Sequence, residues 1–125
     1  MLYTLGIFAL EPLRWINQFE WRRLTDLEMC ACGTFWKHMG DAMEISYDKL
    51  PSSSDGWRDG LDWLQELMVW CTAYEEAHML PAKPNKRLSD AQLDILLPKW
   101  PAWLSRVAHK TAIILLGERL RQSMM

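Results

Sequence analysis

Apolar side chains recur at spacings of three and four residues through most of the 125-residue chain. This spacing places them on one face of an α-helix, whereas a half-buried strand alternates apolar and polar residues. The two clearest rows are Met29, Cys32, Phe35, Trp36, Met39 and Met43, and Trp57, Leu61, Leu64, Met68, Cys71 and Tyr74, the second widened by Trp63, Leu67 and Trp70. No stretch of useful length alternates, so the sequence predicts an all-α fold of about five helices, orthogonal or bundle-like, in a single or partial domain.

Proline and capping signals mark the first helix boundaries. Pro12 either kinks a helix that begins near Leu2 or serves as the first residue of a new helix. Thr25 and Glu28 form a capping box, in which the hydroxyl accepts from the backbone N–H of Glu28 and the carboxylate accepts from that of Thr25. The helix that starts there is predicted to end near Gly40.

The middle of the chain predicts a connector followed by a central helix. Residues 45–54 contain Pro51 and three serines, which interrupt regular structure. Either Ser54 or Asp55 is expected to cap the next helix. Because that helix is apolar over much of its circumference, we expect it to occupy a central position and to end near residues 79–81.

Two shorter helices are predicted in the last third of the chain. A turn over residues 82–87 precedes a second capping box, Ser89 to Gln92, which predicts a helix of about two turns that Pro98 ends. A last helix is predicted over residues 102–121. Its inward-facing residues are expected to be Leu104, Val107, Ala108, Thr111, Ile114, Leu115 and Leu120.

The charge balance excludes a typical nucleic-acid-binding protein. Fourteen basic and sixteen acidic residues give a net charge of −2, whereas nucleic-acid-binding surfaces carry a clustered basic excess. The basic cluster of Lys83, Lys86 and Arg87 is interpreted as a solvated turn. No stretch approaches the roughly 18 uncharged apolar residues of a membrane span. Residues 1–12 lack the basic leading segment of a signal peptide, so we expect them to form a helix of the fold.

Cysteine and sequence motifs give no support for nucleophilic or metal chemistry. The three cysteines, Cys30, Cys32 and Cys71, are interpreted as small buried hydrophobic residues rather than as a disulfide framework. The chain contains no Gly-rich phosphate loop, no Gly-x-Ser-x-Gly elbow and no His-Glu-x-x-His motif. Hydrolysis through these schemes is therefore not predicted.

The histidines are interpreted as structural residues. Glu75 and His78 share a helix face, but a di-iron bundle needs a second such pair, so an exposed glutamate and a helix-terminal histidine are the preferred interpretation. His38 lies near acidic residues where its helix is predicted to end, and His109 is expected at the edge of a core. No metal ligand is predicted.

Residues 11–28 mix large aromatic rings and ionisable groups more densely than any other stretch. Glu11 and Arg14 are three residues apart, and because they lie among Phe8, Trp15 and Phe19 we expect them to be buried and paired. An apolar pocket lined by such residues would suit a hydrophobic ligand. The candidate pocket residues are Glu11, Arg14, Trp15, Trp21, Arg22, Glu28 and Trp36.

Three stretches resemble one known family. They are LYTLGIFALEPLRWINQFEWRRLTDLE, GTFWKHMGDAMEISYDKL and GWRDGLDWLQEL. The chain is similar there to the fungal, endoplasmic-reticulum-bound oxygenases of the mpaB type, which are related to rubber oxygenase, the latex clearing protein. The resemblance covers most of the chain but only the later part of such a protein.

The resemblance implies oxidative cleavage of a carbon–carbon double bond in a prenyl or polyisoprenoid chain, with haem b and dioxygen. It also implies an upstream histidine-bearing helix and a membrane anchor, neither of which is in this chain, so no haem ligand is assigned to His38, His78 or His109. We therefore expect a fragment of a longer oxygenase, which self-associates through uncovered apolar surface. The alternative is a non-enzymatic helical pseudo-enzyme or interaction module.

Overall fold

The computed structural model describes residues 1–80, 83–96 and 101–115, and these residues form helices and connectors with no strand. The predicted all-α class is therefore confirmed over the described part of the chain. Its elements are α1 (Leu2–Phe19), α2 (Asp26–Ala42), a short 3-10 helix (Pro51–Ser53), α3 (Gly60–His78), α4 (Lys83–Leu96) and α5 (Ala102–Leu115).

The chain divides into two compact units, Met1–Glu76 and Ala77–Met125. The first unit has a core built from α1, α3 and the connector before α3. Its buried apolar residues are Leu2, Leu5, Ala9, Leu10, Leu13, Ile45, Leu50, Trp63, Leu64, Leu67 and Cys71. Trp63, Leu64 and Leu67 have no exposed surface, so α3 is central, as predicted. The centre of its buried face lies at Trp63 and Leu67, which were predicted only to flank the apolar row.

Helix α1 passes through Pro12 without a break. Proline removes one backbone hydrogen bond and crowds the carbonyl of the residue four positions earlier, which is Phe8. Pro12 and Phe8 are both exposed, so water can hydrate the Phe8 carbonyl there. Of the two predicted alternatives, a new helix that starts at Pro12 is wrong, because Pro12 lies inside α1.

Helix α2 begins at the predicted capping box. The Thr25 hydroxyl accepts from the backbone N–H of Glu28 at 3.3 Å, and the Glu28 carboxylate accepts from the backbone N–H of Thr25 at 2.8 Å. Both arms of the box are present, and the helix ends at Ala42, just after Gly40, as predicted. Capping satisfies backbone donors that the first helical turn leaves without partners.

Thr25→Ala is expected to lower the free energy of unfolding by about 1 kcal/mol, because it removes the hydroxyl that caps α2. Thr4→Ala is the matched control, since Thr4 is an exposed threonine inside α1. Urea denaturation followed by circular dichroism measures both. Equal stability of the Thr25 variant and the control would contradict the cap.

Helices α2 and α3 cross at two glycines. Gly33 and Gly60 are both buried, and a Cβ on Gly33 would overlap the carbonyl group of Gly60. A Cβ on Gly60 would in turn overlap the backbone of Thr34 and the carbonyl oxygen of Cys30. The absence of a side chain on Gly33 therefore permits a close approach of α2 to Gly60, the first residue of α3.

The connector before α3 folds back onto that helix. The Glu66 carboxylate accepts from the Ser52 hydroxyl at 2.8 Å and from Trp57 Nε1 at 2.7 Å. Asp59 Oδ1 accepts from the backbone N–H of Asp62 at 2.8 Å, which is the geometry of a helix cap. The predicted cap at Ser54 or Asp55 is wrong, because Glu66 holds the connector back and delays the helix until Gly60.

In the second unit, the structure corrects the prediction for residues 83–96. Helix α4 begins at Lys83, so Ser89 lies inside it and does not start it. Pro84 occupies the first turn, where its missing N–H costs nothing, and this explains why the proline did not mark a turn. Lys86 and Arg87 are exposed on this helix, as expected of solvated residues. Pro98, the predicted end of the helix, lies outside the described residues.

Helix α5 begins at Ala102 as predicted, and the predicted residues after Leu115 lie outside the described part of the chain. Leu104 and Ala108 are half-buried. The expectation that its apolar row faces inward is wrong for Thr111, Leu115, Val107 and Ile114, which are exposed, the last two by 56% and 71%. Amphipathic spacing shows which face a helix can bury, and not whether a partner covers it.

Candidate functional site

The seven candidate residues all lie in the first unit, on α1, on α2 and on the turn between them. Glu11, Arg14 and Trp15 lie on α1, and Trp36 lies on α2. Trp21 and Arg22 lie on the α1–α2 turn (residues 20–25), and Glu28 lies in the first turn of α2. The structure pairs Glu11 with Arg14 and Arg22 with Glu28.

A polar cluster of Tyr3, Glu11, Arg14 and Glu75 joins α1 to α3. Arg14 Nη1 lies 2.6 Å from Glu11 Oε1 and 3.6 Å from Glu75 Oε1. The Tyr3 hydroxyl donates to the same Glu75 oxygen at 3.5 Å. Glu75 is a charged residue within the buried face of α3, one turn after Cys71, and only 9% of it is exposed. Its burial is tolerated because Arg14 supplies a positive charge and Tyr3 a hydrogen bond.

Burial and the neighbouring carboxylate keep protons on two groups beside Glu75. Burial raises the pKa of Tyr3 to about 12, and the negative charge of Glu75 adds to the rise. Burial, again reinforced by Glu75, raises the pKa of the Cys71 thiol to about 11. At neutral pH Tyr3 is therefore a hydrogen-bond donor, and Cys71 is a thiol rather than a nucleophilic thiolate.

The structure corrects two burial predictions at this cluster. The predicted pairing of Glu11 and Arg14 is confirmed, but 55% of the Glu11 side chain and 34% of the Arg14 side chain are exposed. Glu11 lies on the outer side of α1, because Leu10 and Leu13 occupy the inner side. Glu75, interpreted as an exposed glutamate, is buried.

Tyr3 and Glu75 are the cluster residues that sequence reasoning missed. A usable signal existed for Glu75, because it follows the buried Leu67 and Cys71 at helical spacing and so lies on the same face of α3. Tyr3 had no such signal, since its partner lies 72 residues away in the sequence.

An apolar face runs over α1 and α2 on the outer side of the first unit. The rings of Phe8 and Trp36 stack with centroids 6.1 Å apart, and Phe35 meets Trp36 edge-on at 5.3 Å. Trp15 and Phe19 follow Phe8 on the same side of α1, and their rings lie 4.4 Å apart. Phe8, Phe35, Trp15 and Phe19 are 59%, 55%, 48% and 44% exposed.

The α1–α2 turn is held by polar contacts. Arg22 donates from both terminal nitrogens to the two Glu28 oxygens, at 2.7 and 2.8 Å, and its guanidinium lies 5.6 Å from the Trp21 ring centroid. The Asn17 side-chain oxygen accepts from the backbone N–H of Leu24 at 2.8 Å. Trp21 is 88% exposed on this turn.

Arg22, with the backbone N–H of Thr25, lowers the pKa of Glu28 from 4.5 to about 2. Because the folded-state pKa lies below that of the unfolded chain, the carboxylate stabilises the fold above about pH 4.5 and loses that contribution as the pH falls towards 2. Glu28→Gln is therefore expected to reduce the fall in Tm between pH 4.5 and pH 2. Thermal melts over pH 2–7 measure this, and a parent–variant difference that stays constant across the range would contradict it.

The described histidines are not part of a predicted metal site. No group of three His, Cys, Asp or Glu side chains in the described residues is placed to hold a metal ion. His38 and His78 are exposed, and His109 is half-buried on α5. The Glu75 carboxylate, three residues before His78, interacts with Tyr3 and Arg14.

None of the helices in residues 1–80, 83–96 and 101–115 combines the length and apolar character needed to cross a membrane. An open depression on α4 is lined by Pro84, Arg87, Leu88 and Ala91, and it contains none of the seven candidates.

Comparison with known proteins identifies relatives of the whole chain. No family model and no solved structure matches it. It is 43% identical over all 125 residues to the ER-bound oxygenase mpaB' of Penicillium brevicompactum and to the ER-bound oxygenase mpaB of Penicillium roqueforti (strain FM164). It is 48% identical over 97 residues, 78% of this chain, to the ER-bound oxygenase mpaB of Penicillium brevicompactum.

The chain spans 30%, 42% and 25% of the length of these three relatives. Identity at this level extends over α1, the α1–α2 turn, α2 and α3, which carry the polar cluster and the apolar face. The resemblance drawn from the three quoted stretches is confirmed, and the chain belongs to the mpaB-like family of fungal oxygenases.

Proposed function

We propose that this chain forms part of an oxygenase that cleaves a carbon–carbon double bond in a prenyl or polyisoprenoid chain with dioxygen. The observation that carries the proposal is the 43% identity, over all 125 residues, to proteins named as ER-bound oxygenases. Because the chain spans less than half of each relative, the complete reaction is assigned to the longer protein and not to these residues alone.

The apolar face of α1 and α2 is the part of the chain that suits such a substrate. An isoprenoid chain offers no strong hydrogen-bonding groups along its length, so its binding depends on apolar contact. Phe8, Trp15 and Trp36 present rings on this face, and aromatic rings supply large contact areas with little conformational freedom to lose. The polar cluster behind them fixes α1 against α3 and so supports this wall.

We assign no haem ligand to the described residues. Protein haem ligands are histidine, cysteine thiolate, methionine or tyrosine. His38 and His78 are exposed, and Cys71 and Tyr3 keep their protons in a packed core in which Gly6 adjoins Cys71. The proposal places the ligand of the expected haem b in the length of the relatives that this chain does not span.

Association with the endoplasmic reticulum is proposed from the names of the relatives. The relatives are named ER-bound. Their additional length is where the proposal places a membrane anchor.

A non-enzymatic helical module is the second candidate. It is favoured by one observation, which is that Phe8, Trp15 and Phe19 are 59%, 48% and 44% exposed on α1. In such a module this apolar face would serve contacts with another protein.

A segment exchange distinguishes the two candidates. The 125 aligned residues of the Penicillium roqueforti relative are replaced by this chain, and oxygen consumption by the haem-loaded chimera is measured with a prenylated phenol. An oxygenase segment is expected to retain activity within about tenfold of the unaltered relative, equivalent to roughly 1.4 kcal/mol in the barrier. The chimera with Phe8→Ser and Trp15→Ser is expected to lose substrate affinity.

A folded chimera that consumes no oxygen would support the non-enzymatic module. The isolated chain is expected to consume none and to self-associate through the apolar face, as light scattering after size-exclusion chromatography would show.

A further inference from the structure

Three apolar side chains protrude at the end of the α1–α2 pair where the two helices are joined. Phe19, Trp21 and Leu27 lie within nine residues of one another and are 44%, 88% and 80% exposed. Because α1 ends at Phe19 and α2 begins at Asp26, all three lie at the same end of the first unit. Trp21 lies in the α1–α2 turn, and because 88% of it is exposed, it contributes little to packing within the fold.

The turn that carries Trp21 is ordered before any partner arrives. The Asn17 side chain fixes the backbone at Leu24, and Arg22 binds Glu28 through two hydrogen bonds while lying over the Trp21 ring. A preordered turn has already lost the conformational freedom that binding would otherwise cost. These contacts therefore hold the exposed Trp21 ring in place at the surface of the protein.

The charges of this turn complement a surface that carries both signs. Arg22 and Glu28 neutralise each other, so their approach to an apolar medium leaves no unpaired ion. The remaining charged side chains, Glu20, Arg23 and Asp26, are exposed. The turn and the first turn of α2 together hold three acidic and two basic residues, which opposes binding to an anionic surface and suits zwitterionic headgroups.

We propose that the α1–α2 turn docks on the interface of a neutral, zwitterionic phospholipid bilayer, with Trp21 and Leu27 inserted at headgroup depth. Tryptophan is enriched at membrane interfaces because its ring is apolar and its N–H remains hydrated. The inference refines the membrane association in the proposed function and rests on it. It adds a contact made by this chain itself, separate from an anchor in the longer protein.

The test is binding of the full 125-residue chain to phosphatidylcholine vesicles, measured by flotation. Trp21→Ser is expected to weaken partitioning roughly tenfold, because it removes the most deeply inserted apolar side chain. Leu27→Ser is expected to weaken it by a smaller factor. Trp103→Ser is the matched control, since Trp103 is a tryptophan 68% exposed on α5, and it is expected to leave partitioning unchanged.

Quenching by brominated lipids adds a depth-sensitive measurement. The tryptophan fluorescence quenched in the parent is expected to be lost in Trp21→Ser and kept in Trp103→Ser. Adding phosphatidylserine is expected not to raise affinity. Absence of vesicle binding, or equal binding by the parent and Trp21→Ser, would overturn the proposal.

Two further outcomes would also overturn it. Binding that appears only with anionic lipid would show a different surface, and a Trp21→Ser variant that loses self-association in place of vesicle binding would show a contact between copies. None of these readouts uses oxygen consumption, so failure of the docking proposal leaves the segment exchange informative.

Discussion

Gly33→Ala is expected to lower the free energy of unfolding by about 2–3 kcal/mol, although alanine is the better helix former by roughly 1 kcal/mol. The added methyl group would overlap the carbonyl group of Gly60, which is backbone and cannot rotate away as a side chain can. Helices α2 and α3 would have to separate, and Leu64, whose Cβ also adjoins the new methyl group, would lose packing in the core. The steric cost therefore exceeds the gain in helix propensity.

Two control substitutions separate the contributions to the stability of Gly33→Ala. Ala31→Gly, at an exposed position of α2, isolates the propensity term and is expected to cost about 1 kcal/mol. Gly56→Ala tests a glycine that has open space but a φ of +79°, so its cost of about 1 kcal/mol comes from the backbone alone. Urea denaturation of all three variants is the measurement. A Gly33 variant as stable as the parent would contradict the close crossing of α2 and α3.

Predictions from sequence held where both partners of an interaction lie within one helical turn. The capping box of α2 needs only Thr25 and Glu28, and the pair on α1 needs only Glu11 and Arg14. In each case the local backbone brings the groups together, whatever the rest of the chain does. The helical class followed from spacing for the same reason.

Predictions failed where a more distant group overrode a local signal. Ser54 and Asp55 are good capping residues, but Glu66 holds the connector and Asp59 caps α3 instead. Ser89 carries a capping-box pattern, yet the helix already runs from Lys83. A capping residue stabilises a helix only if the helix begins at that residue, and tertiary contacts can make the helix begin elsewhere.

The candidate site shows the same division. The pairing of Glu11 with Arg14 on α1 was predicted correctly, but the predicted burial was wrong, because burial depends on which side of α1 meets α3. Glu75 was missed for a related reason, since a glutamate in an apolar row is normally interpreted as exposed. Contacts across the fold, from Tyr3 and Arg14, help to hold that carboxylate in the core.

Arg14→Met is expected to lower the free energy of unfolding by about 2 kcal/mol, because it leaves Glu75 buried without its positively charged partner. Methionine keeps most of the apolar stem of arginine, so the loss reports charge more than packing. Glu75→Gln is expected to cost less, since an amide in the same place carries no charge to bury. The double variant with Arg14→Met and Glu75→Gln should lose less free energy of unfolding than the two single variants added together. The difference, which is the coupling energy of the pair, is expected to be about 1 kcal/mol.

A second double-mutant cycle, with Arg14→Met and Glu11→Gln, is the matched comparison for the cycle of Arg14 and Glu75. The Arg14–Glu11 contact is the shorter of the two, at 2.6 Å against 3.6 Å, but 55% of the Glu11 side chain is exposed and only 11% of that of Glu75. Attraction between charges weakens in water, and exposed pairs contribute roughly 0–1 kcal/mol whatever their distance. Burial should therefore outweigh distance, and Arg14 should couple more strongly to Glu75 than to Glu11. Urea denaturation of both cycles decides this, and a stronger coupling to Glu11 would mean that Arg14 serves the outer side of α1 and not the core.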